Sequence, residues 1–204
     1  MVVRWLEGYA RELVENKDYL TQLDGEIGDN DHGINMDRGF RAVAAVLPDK
    51  AGASIEVLLK LAGMTLIKTV GGASGPLYGT VFLRMGTAAA GKASLTAREL
   101  GELLVAGQKG IVDRGQAEVG DATMLDAWDA ATRAYRDVLE ACKDLPDALN
   151  VATVAAKQGM ESTIPMVARK GRASYLGERG VGHQDPGATS SYLLFKTLRD
   201  AVRT

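Results

Sequence analysis

The sequence predicts an all-α protein of about eight antiparallel helices, arranged as an up-and-down bundle or barrel. Two observations carry that prediction. Apolar residues recur at helical spacing along nearly the whole chain, with no alternating run long enough to suggest a strand. Clusters of glycine and isolated prolines then cut this pattern into helix-sized segments with short connections.

The first helix places Trp5, Leu6, Tyr9 and Leu13 on one face. Met36, Phe40, Val43 and Leu47 mark the second, which Pro48 stops. Ser54 is positioned to cap a third carrying Ile55, Leu58, Leu59, Ala62 and Leu66. A fourth begins at the glycines before Pro76 and runs toward Gly91. Thr96 and Glu99 form a T-x-x-E capping box ahead of the fifth, with Leu100, Leu103, Leu104 and Ile111 inside it. The sixth carries Met124, Leu125, Trp128, Tyr135, Val138 and Leu139. After Asp147, the seventh carries Leu149, Val151 and Val154, and Pro165 bends or ends it. The last spans roughly Ala188 to Arg203.

With 204 residues, 46% of them hydrophobic, the chain is expected to form a single domain, residues 1–204. The formal net charge is −2 and no block of like charges appears, which argues against a nucleic-acid partner. Arg4, Glu7, Arg11, Glu12 and Lys17 interrupt the apolar residues of the N-terminus, so no signal peptide or membrane span is expected there and a cytoplasmic location is. Cys142 has no second cysteine to pair with and reads as a packing residue.

The glycines gather at Gly25–Gly33, Gly71–Gly79, Gly115–Gly120 and Gly177–Gly187, after the first, third, fifth and seventh helices. Alternate connections of an up-and-down array lie at the same end, so these four loops meet and can form one composite site. A single such loop would be no more than a helix terminus.

The first loop, within "DGEIGDNDHGINMDRGF", holds Asp24, Asp29 and Asp31 in a stretch too glycine-rich for a continuous helix. Carboxylates brought within about 4 Å repel by roughly 4 kcal/mol at an effective dielectric near 20. Three that converge therefore call for a cation or a raised pKa, whereas three that point apart are turn formers and caps. An EF-hand is excluded, because the twelfth position counted from Asp24 is Asn35 and from Asp29 is Phe40, where a bidentate Glu is required. So few carboxylates suit Mg²⁺ shared with phosphate oxygens.

"GGASGP", Gly71 to Pro76, has the composition of an anion-binding turn, with Ser74 adding a hydroxyl. "GTAAAGKA", Gly86 to Ala93, nearly spells a P-loop, but Ala93 replaces the hydroxyl that binds Mg²⁺, and the run extends a helix. The longest loop-like segment, "GRASYLGERGVGHQDPGATSS", carries Arg172, Arg179, His183 and Asp185. Arg172 is suited to clamp a phosphate, while His183 and His32 are as well explained as hydrogen-bonded loop residues. Met124 reads as core, with a second reading as the face of a flat ligand such as adenine. No set of residues suggests a nucleophile.

"LTQLDGEIGDNDHGINMDRGF", "GMTLIKTVGGASGPLYGT", "DRGQAEVGDATMLDAW" and "ARKGRASYLGERGVGHQDPGATSS" together resemble the nucleotide-binding L subunits of dihydroxyacetone kinases and the related C-terminal domains of single-chain ATP-dependent kinases. The resemblance covers nearly the whole chain. It implies an eight-helix antiparallel up-and-down barrel with the nucleotide site in the loops at one end. It also implies ADP/ATP and two Mg²⁺ as cofactors, with Asp24, Asp29 and Asp31 as metal ligands. His32, Gly33, Ile34 and Asn35 match the stretch along the nucleotide, and Ala73 and Ser74 match its phosphate contacts. Gly115, Met124, Arg172, Gln184, Asp185 and Pro186 match residues around it. Asn30 departs from the Gly or Ala common between the two aspartates, and Asn tolerates the left-handed backbone such a loop uses.

The implied partners are a K subunit that holds dihydroxyacetone covalently and a phosphocarrier M subunit that rephosphorylates bound ADP; a transcription regulator is the partner expected under the regulatory alternative. The implied activity is transfer of the γ-phosphoryl of Mg-ATP to dihydroxyacetone. The alternatives are the equivalent subunit for another short keto-sugar such as erythrulose, and a nucleotide-loaded regulatory module.

Overall fold

The computed structural model of the chain describes residues 1–47, 52–141 and 144–203. The expectations for Pro48 and Cys142 lie outside the described residues. Helices α1 (Val2–Glu15), α2 (Lys17–Ile27), α3 (His32–Val46), α4 (Ile55–Thr69), α5 (Ser74–Ala88), α6 (Ala97–Gly115), α7 (Met124–Glu140), α8 (Leu145–Ser162) and α9 (Pro186–Arg203) are joined by short connections, apart from the α8–α9 crossing, which contains a 3₁₀ segment, Arg172–Gly180. No strand occurs among the described residues.

From α3 onward, each helix packs against the one that follows it, and α9 returns to α1 and closes the ring. With α1 and α2 sharing one position, the ring has the eight staves expected. Inside it Tyr9 and Phe40 meet edge to face at 4.5 Å, Phe82 lies 5.9 Å from Phe40 and 5.7 Å from Trp5, and Trp128 stands on Phe195 at 4.9 Å. The Trp5 indole N–H donates to the Leu194 carbonyl at 3.0 Å, which ties α1 to α9 across the closure.

The first helix differs from expectation. It breaks at Asn16, whose side-chain amide donates to the Glu12 carbonyl at 2.8 Å, with backbone angles of φ −100° and ψ 7°. The chain then resumes as α2 and stays helical through Asp24 and Gly25 to Ile27, where a loop is expected. Burial explains the extension. Leu20, Leu23 and Ile27 all face the interior, at about 1.5–3 kcal/mol each, which outweighs the roughly 1 kcal/mol penalty of a helical glycine.

Other helix boundaries follow their caps. Ser54 accepts from the Val57 amide, and the Thr96–Glu99 capping box is formed. Helix α8 starts earlier than expected, because Asp144 accepts from the Asp147 amide at 2.9 Å and Pro146 fits the first turn. It ends at Ser162, before Pro165. The near-P-loop run ends α5 at Ala88, and Lys92 pairs with Glu99 at 2.6 Å, one connection away from the cleft end.

Val151 and Val154 turn outward, 41% and 57% exposed, while Ala148, Leu149, Ala152, Ala156 and Gly159 face inward. Small residues are needed there because α7 and α8 approach closely. A Cβ on Gly159 would lie 2.4 Å from the Asp126 carbonyl oxygen and 2.9 Å from the Ala127 Cα. Gly159→Ala is therefore expected to lower stability by about 1–3 kcal/mol in urea unfolding, even though alanine favours an isolated helix by about 1 kcal/mol.

Candidate functional site

The aspartate set is built by a helix end, a tight loop and a helix start. Asp24 lies in the last turn of α2, Asp31 is the residue before α3, and Asn30 between them takes φ 63°, the left-handed conformation expected of it. The chain thereby folds back on itself. One Asp24 oxygen, Oδ2, accepts from the amides of Asp31 at 2.8 Å and His32 at 3.1 Å, so a carboxylate from α2 caps α3. Asp31 makes no capping bond with its own side chain. One carboxylate oxygen from each of Asp24, Asp29 and Asp31 lies within 4.8 Å of the others. Gly28 makes room for this, since a Cβ there would stand 2.1 Å from Asp24 Oδ1. Such a hard oxygen set suits a divalent cation that keeps open positions for phosphate or water.

The three carboxylates open into a cleft of about 450 Å³ to which all four glycine-rich connections contribute. Asp24, Asp29, Asp31, His32, Ala73, Ser74, Gly115, Met124, Arg172, Asp185 and Pro186 line it. Gly33, Ile34, Asn35 and Gln184 are not among its lining residues. Gly33 packs on the α2 backbone, where a Cβ would meet the Lys17 carbonyl at 2.0 Å, and Ile34 faces solvent. Asn35 accepts from Arg38 at 2.6 Å, and Gln184 donates to Thr189 at 2.8 Å.

Leu77, Ile111, Ala117 and Met124 give the cleft an apolar lining that suits a flat ring. Beside the aspartates sits the start of α5. Its preceding residue, Ala73, has no side chain to cap the helix, so the first-turn amides at Ser74 and Gly75 are unspent on a cap. Arg172 reaches from the 3₁₀ segment to Asp29 at 2.9 Å, an exposed ion pair of the kind worth about 1 kcal/mol or less. Sequence reasoning missed Arg114 and Lys170. Their only signal was adjacency to Gly115 and to the Gly171–Arg172 step, which does not distinguish them from surface cations.

His32 turns inward and is 7% exposed. Its Nε2 lies 2.9 Å from Ser190 Oγ and its Nδ1 lies 3.1 Å from Ser74 Oγ. Burial lowers its pKa from 6.5 to about 4 against the opposing pull of Asp24 and Asp31, so the ring is neutral at pH 7. Tyr78 Oη stands 2.7 Å from Ser190 Oγ and 3.1 Å from Ser191 Oγ, and Tyr9 donates to the Ser190 carbonyl at 2.8 Å. Burial raises both phenols, which stay protonated. Half-buried Asp185 accepts from the Ala188 amide at 2.6 Å and caps α9. Burial is the main cause of its pKa rising from 3.8 to about 7, with Asp126 and Asp24 adding like charge.

The family model for the DAK2 domain matches residues 26–200. This chain belongs to the DAK2-domain family. The DAK2 chain is 47% identical over 202 residues to the ADP-binding subunit DhaL of the PEP-dependent dihydroxyacetone kinase of Escherichia coli (strain K12), across 99% of this chain and 96% of that one. It is 42% identical over 200 residues to the ADP-binding subunit DhaL of the PTS-dependent dihydroxyacetone kinase of Lactococcus lactis subsp. lactis (strain IL1403), across 98% and 96%. The crystal structure of the dihydroxyacetone kinase from C. freundii in complex with AMP-PNP and Mg²⁺ superposes on the DAK2 chain with a TM-score of 0.73 at 27% identity. That match covers 98% of this chain and 33% of the C. freundii chain, so the DAK2 chain spans about a third of that enzyme.

Asp185 yields a test that needs no ligand. The folded protein keeps its proton to about pH 7, whereas the unfolded chain releases it near 3.8, so this contribution to stability is complete below pH 3.8 and is lost as the pH rises through about 7. Asp185→Asn keeps a capping oxygen and removes the titration. The variant is expected to melt at a higher temperature than wild type at pH 8, with a smaller difference between pH 5 and pH 8, in thermal scans followed by circular dichroism.

Proposed function

We propose that the chain, acting as one domain over residues 1–204, is the ADP/ATP-binding phosphotransfer subunit of a cytoplasmic dihydroxyacetone kinase. The observation that carries this reading is the convergence, in one cleft, of three carboxylates, an uncapped helix start and an apolar wall. These match the needs of metal, polyphosphate and base. The likeness to the E. coli and L. lactis ADP-binding subunits supports it. No helix among the described residues is long and apolar enough to cross a membrane.

In this reading Asp24, Asp29 and Asp31 hold two Mg²⁺, which neutralise charge on the phosphates when bound. The amides of Ser74 and Gly75 and the Ser74 hydroxyl bind phosphate oxygens. Arg172 exchanges Asp29 for the phosphate, at little cost because the pair is exposed. Gly115, Met124 and Pro186 enclose the base and His32 lies along the cleft, while Gly33 to Asn35 and Gln184 support its walls from behind. Dihydroxyacetone is held by a separate K subunit docked over the mouth, and the γ-phosphoryl passes to its hydroxyl across that interface. A phosphocarrier M subunit then returns a phosphoryl group to the bound ADP.

Native mass spectrometry of the purified chain is expected to show bound ADP. Reconstitution with a K subunit, Mg²⁺, ATP and dihydroxyacetone is expected to yield dihydroxyacetone phosphate, and its absence with wild-type protein would refute the proposal. Asp29→Ala should reduce turnover roughly 100-fold or more, since loss of even outer partners of a metal costs 10–100-fold, while the helical circular dichroism signal is retained.

A further inference from the structure

A continuous file of polar side chains runs from the barrel interior to the cleft: Ser191, Tyr78, Ser190, His32 and Ser74. Its contacts are 3.1 Å from Ser191 Oγ to Tyr78 Oη, 2.7 Å from Tyr78 Oη to Ser190 Oγ, 2.9 Å from Ser190 Oγ to His32 Nε2, and 3.1 Å from His32 Nδ1 to Ser74 Oγ. Every link except the imidazole is a hydroxyl, which carries one hydrogen and accepts others. A neutral imidazole carries its hydrogen on one nitrogen and accepts on the other. The directions of the Ser190 and Ser74 hydroxyls, one on each ring nitrogen, are therefore coupled through the tautomer of His32.

With the hydrogen on Nδ1, Ser191 donates to Tyr78, Tyr78 to Ser190, Ser190 to Nε2, and Nδ1 to Ser74. Each link spends its one hydrogen, and the Ser74 hydroxyl is left to donate into the cleft it lines. With the hydrogen on Nε2, the direction reverses. Ser74 then donates to Nδ1, and only its lone pairs face the cleft. Ser190 in this case also has the Gly187 carbonyl, 3.1 Å away, as an acceptor.

Resting on the nucleotide-binding reading above, we propose that His32 is a positioning residue that acts on phosphate through Ser74: its Nδ1–H tautomer turns the Ser74 hydroxyl into a donor toward the anion. A phosphate oxygen accepts hydrogen bonds and cannot donate when ionised, so it selects the outward direction of the file. Ser191, Tyr78 and Ser190 supply the matching donor to Nε2 from behind. This accounts for a buried imidazole whose two nitrogens both meet hydroxyls.

The tautomer can be read directly. The chain has two histidines, so long-range ¹H–¹⁵N spectra of the imidazoles are assignable with a His183→Asn variant. With ADP and Mg²⁺ added to the full chain, His32 is expected to be protonated at Nδ1 and bare at Nε2. Ser74→Ala and His32→Phe should each weaken ADP binding by roughly tenfold, should not add in the double variant, and should leave adenosine binding unchanged. An Nε2–H or doubly protonated His32 in the ADP-bound protein would overturn the inference, whether or not His32→Phe folds. Absence of any ADP binding by wild type would overturn the nucleotide reading and this inference with it. Binding with the other tautomer would overturn the inference alone.

Discussion

The carboxylate of Asp24, accepting from the amides of Asp31 and His32, is the interaction on which the cleft depends. It joins the end of α2 to the start of α3 through a loop that turns on Asn30. The same bond fixes three things at once: the entry angle of α3, the inward direction of His32, and the freedom of Asp31 to present its own carboxylate instead of capping the helix behind it. A local cap by Asp31 would have satisfied α3 equally well, but it would have withdrawn one of the converging oxygens. Gly28 is the steric condition for this arrangement, because any Cβ would press on the Asp24 carboxylate.

Charge in the cleft is partly offset from within. Asp29 is neutralised by Arg172 from an exposed position, and Asp185 is driven toward its neutral form by burial beside Asp126 and Asp24. Arg114 and Lys170 add positive charge along the walls. Acidic and basic groups thus stand side by side along the cleft, and the Asp29–Arg172 pair among them is exposed enough to open at little cost.

The polar file behind the cleft shows why the barrel is not simply an apolar core. Tyr9 and Tyr78 contribute rings to the aromatic cluster and hydroxyls to the contacts with Ser190, so the residues that close α1 and α5 onto α9 also set the surroundings of His32. Stability and site geometry share these side chains. The close α7–α8 contact at Gly159 plays the structural counterpart, holding α8 against the first turn of α7, where Met124 lines the cleft.

Periodicity and punctuation by themselves determined the helical class, the caps at Ser54 and Thr96, and the meeting of four glycine-rich connections at one end, because these depend on neighbours within a few residues and on counting. The candidate aspartates and the Gly71–Ser74 turn were legible for the same reason: their spacing and composition are local. The continuation of α2 through Gly25 was not, since it rests on Leu20, Leu23 and Ile27 finding a core to face. Nor was the outward turn of Val151 and Val154, which follows from how closely α7 and α8 approach. Only the tertiary structure decided that Asp24 caps α3, that Arg172 pairs with Asp29, and that His32, at the wall of the cleft, bridges Ser74 and Ser190. Each of these joins residues far apart in the chain or across a turn whose direction no local rule specifies, and a side chain's partner is set by what the fold brings within 3 Å of it.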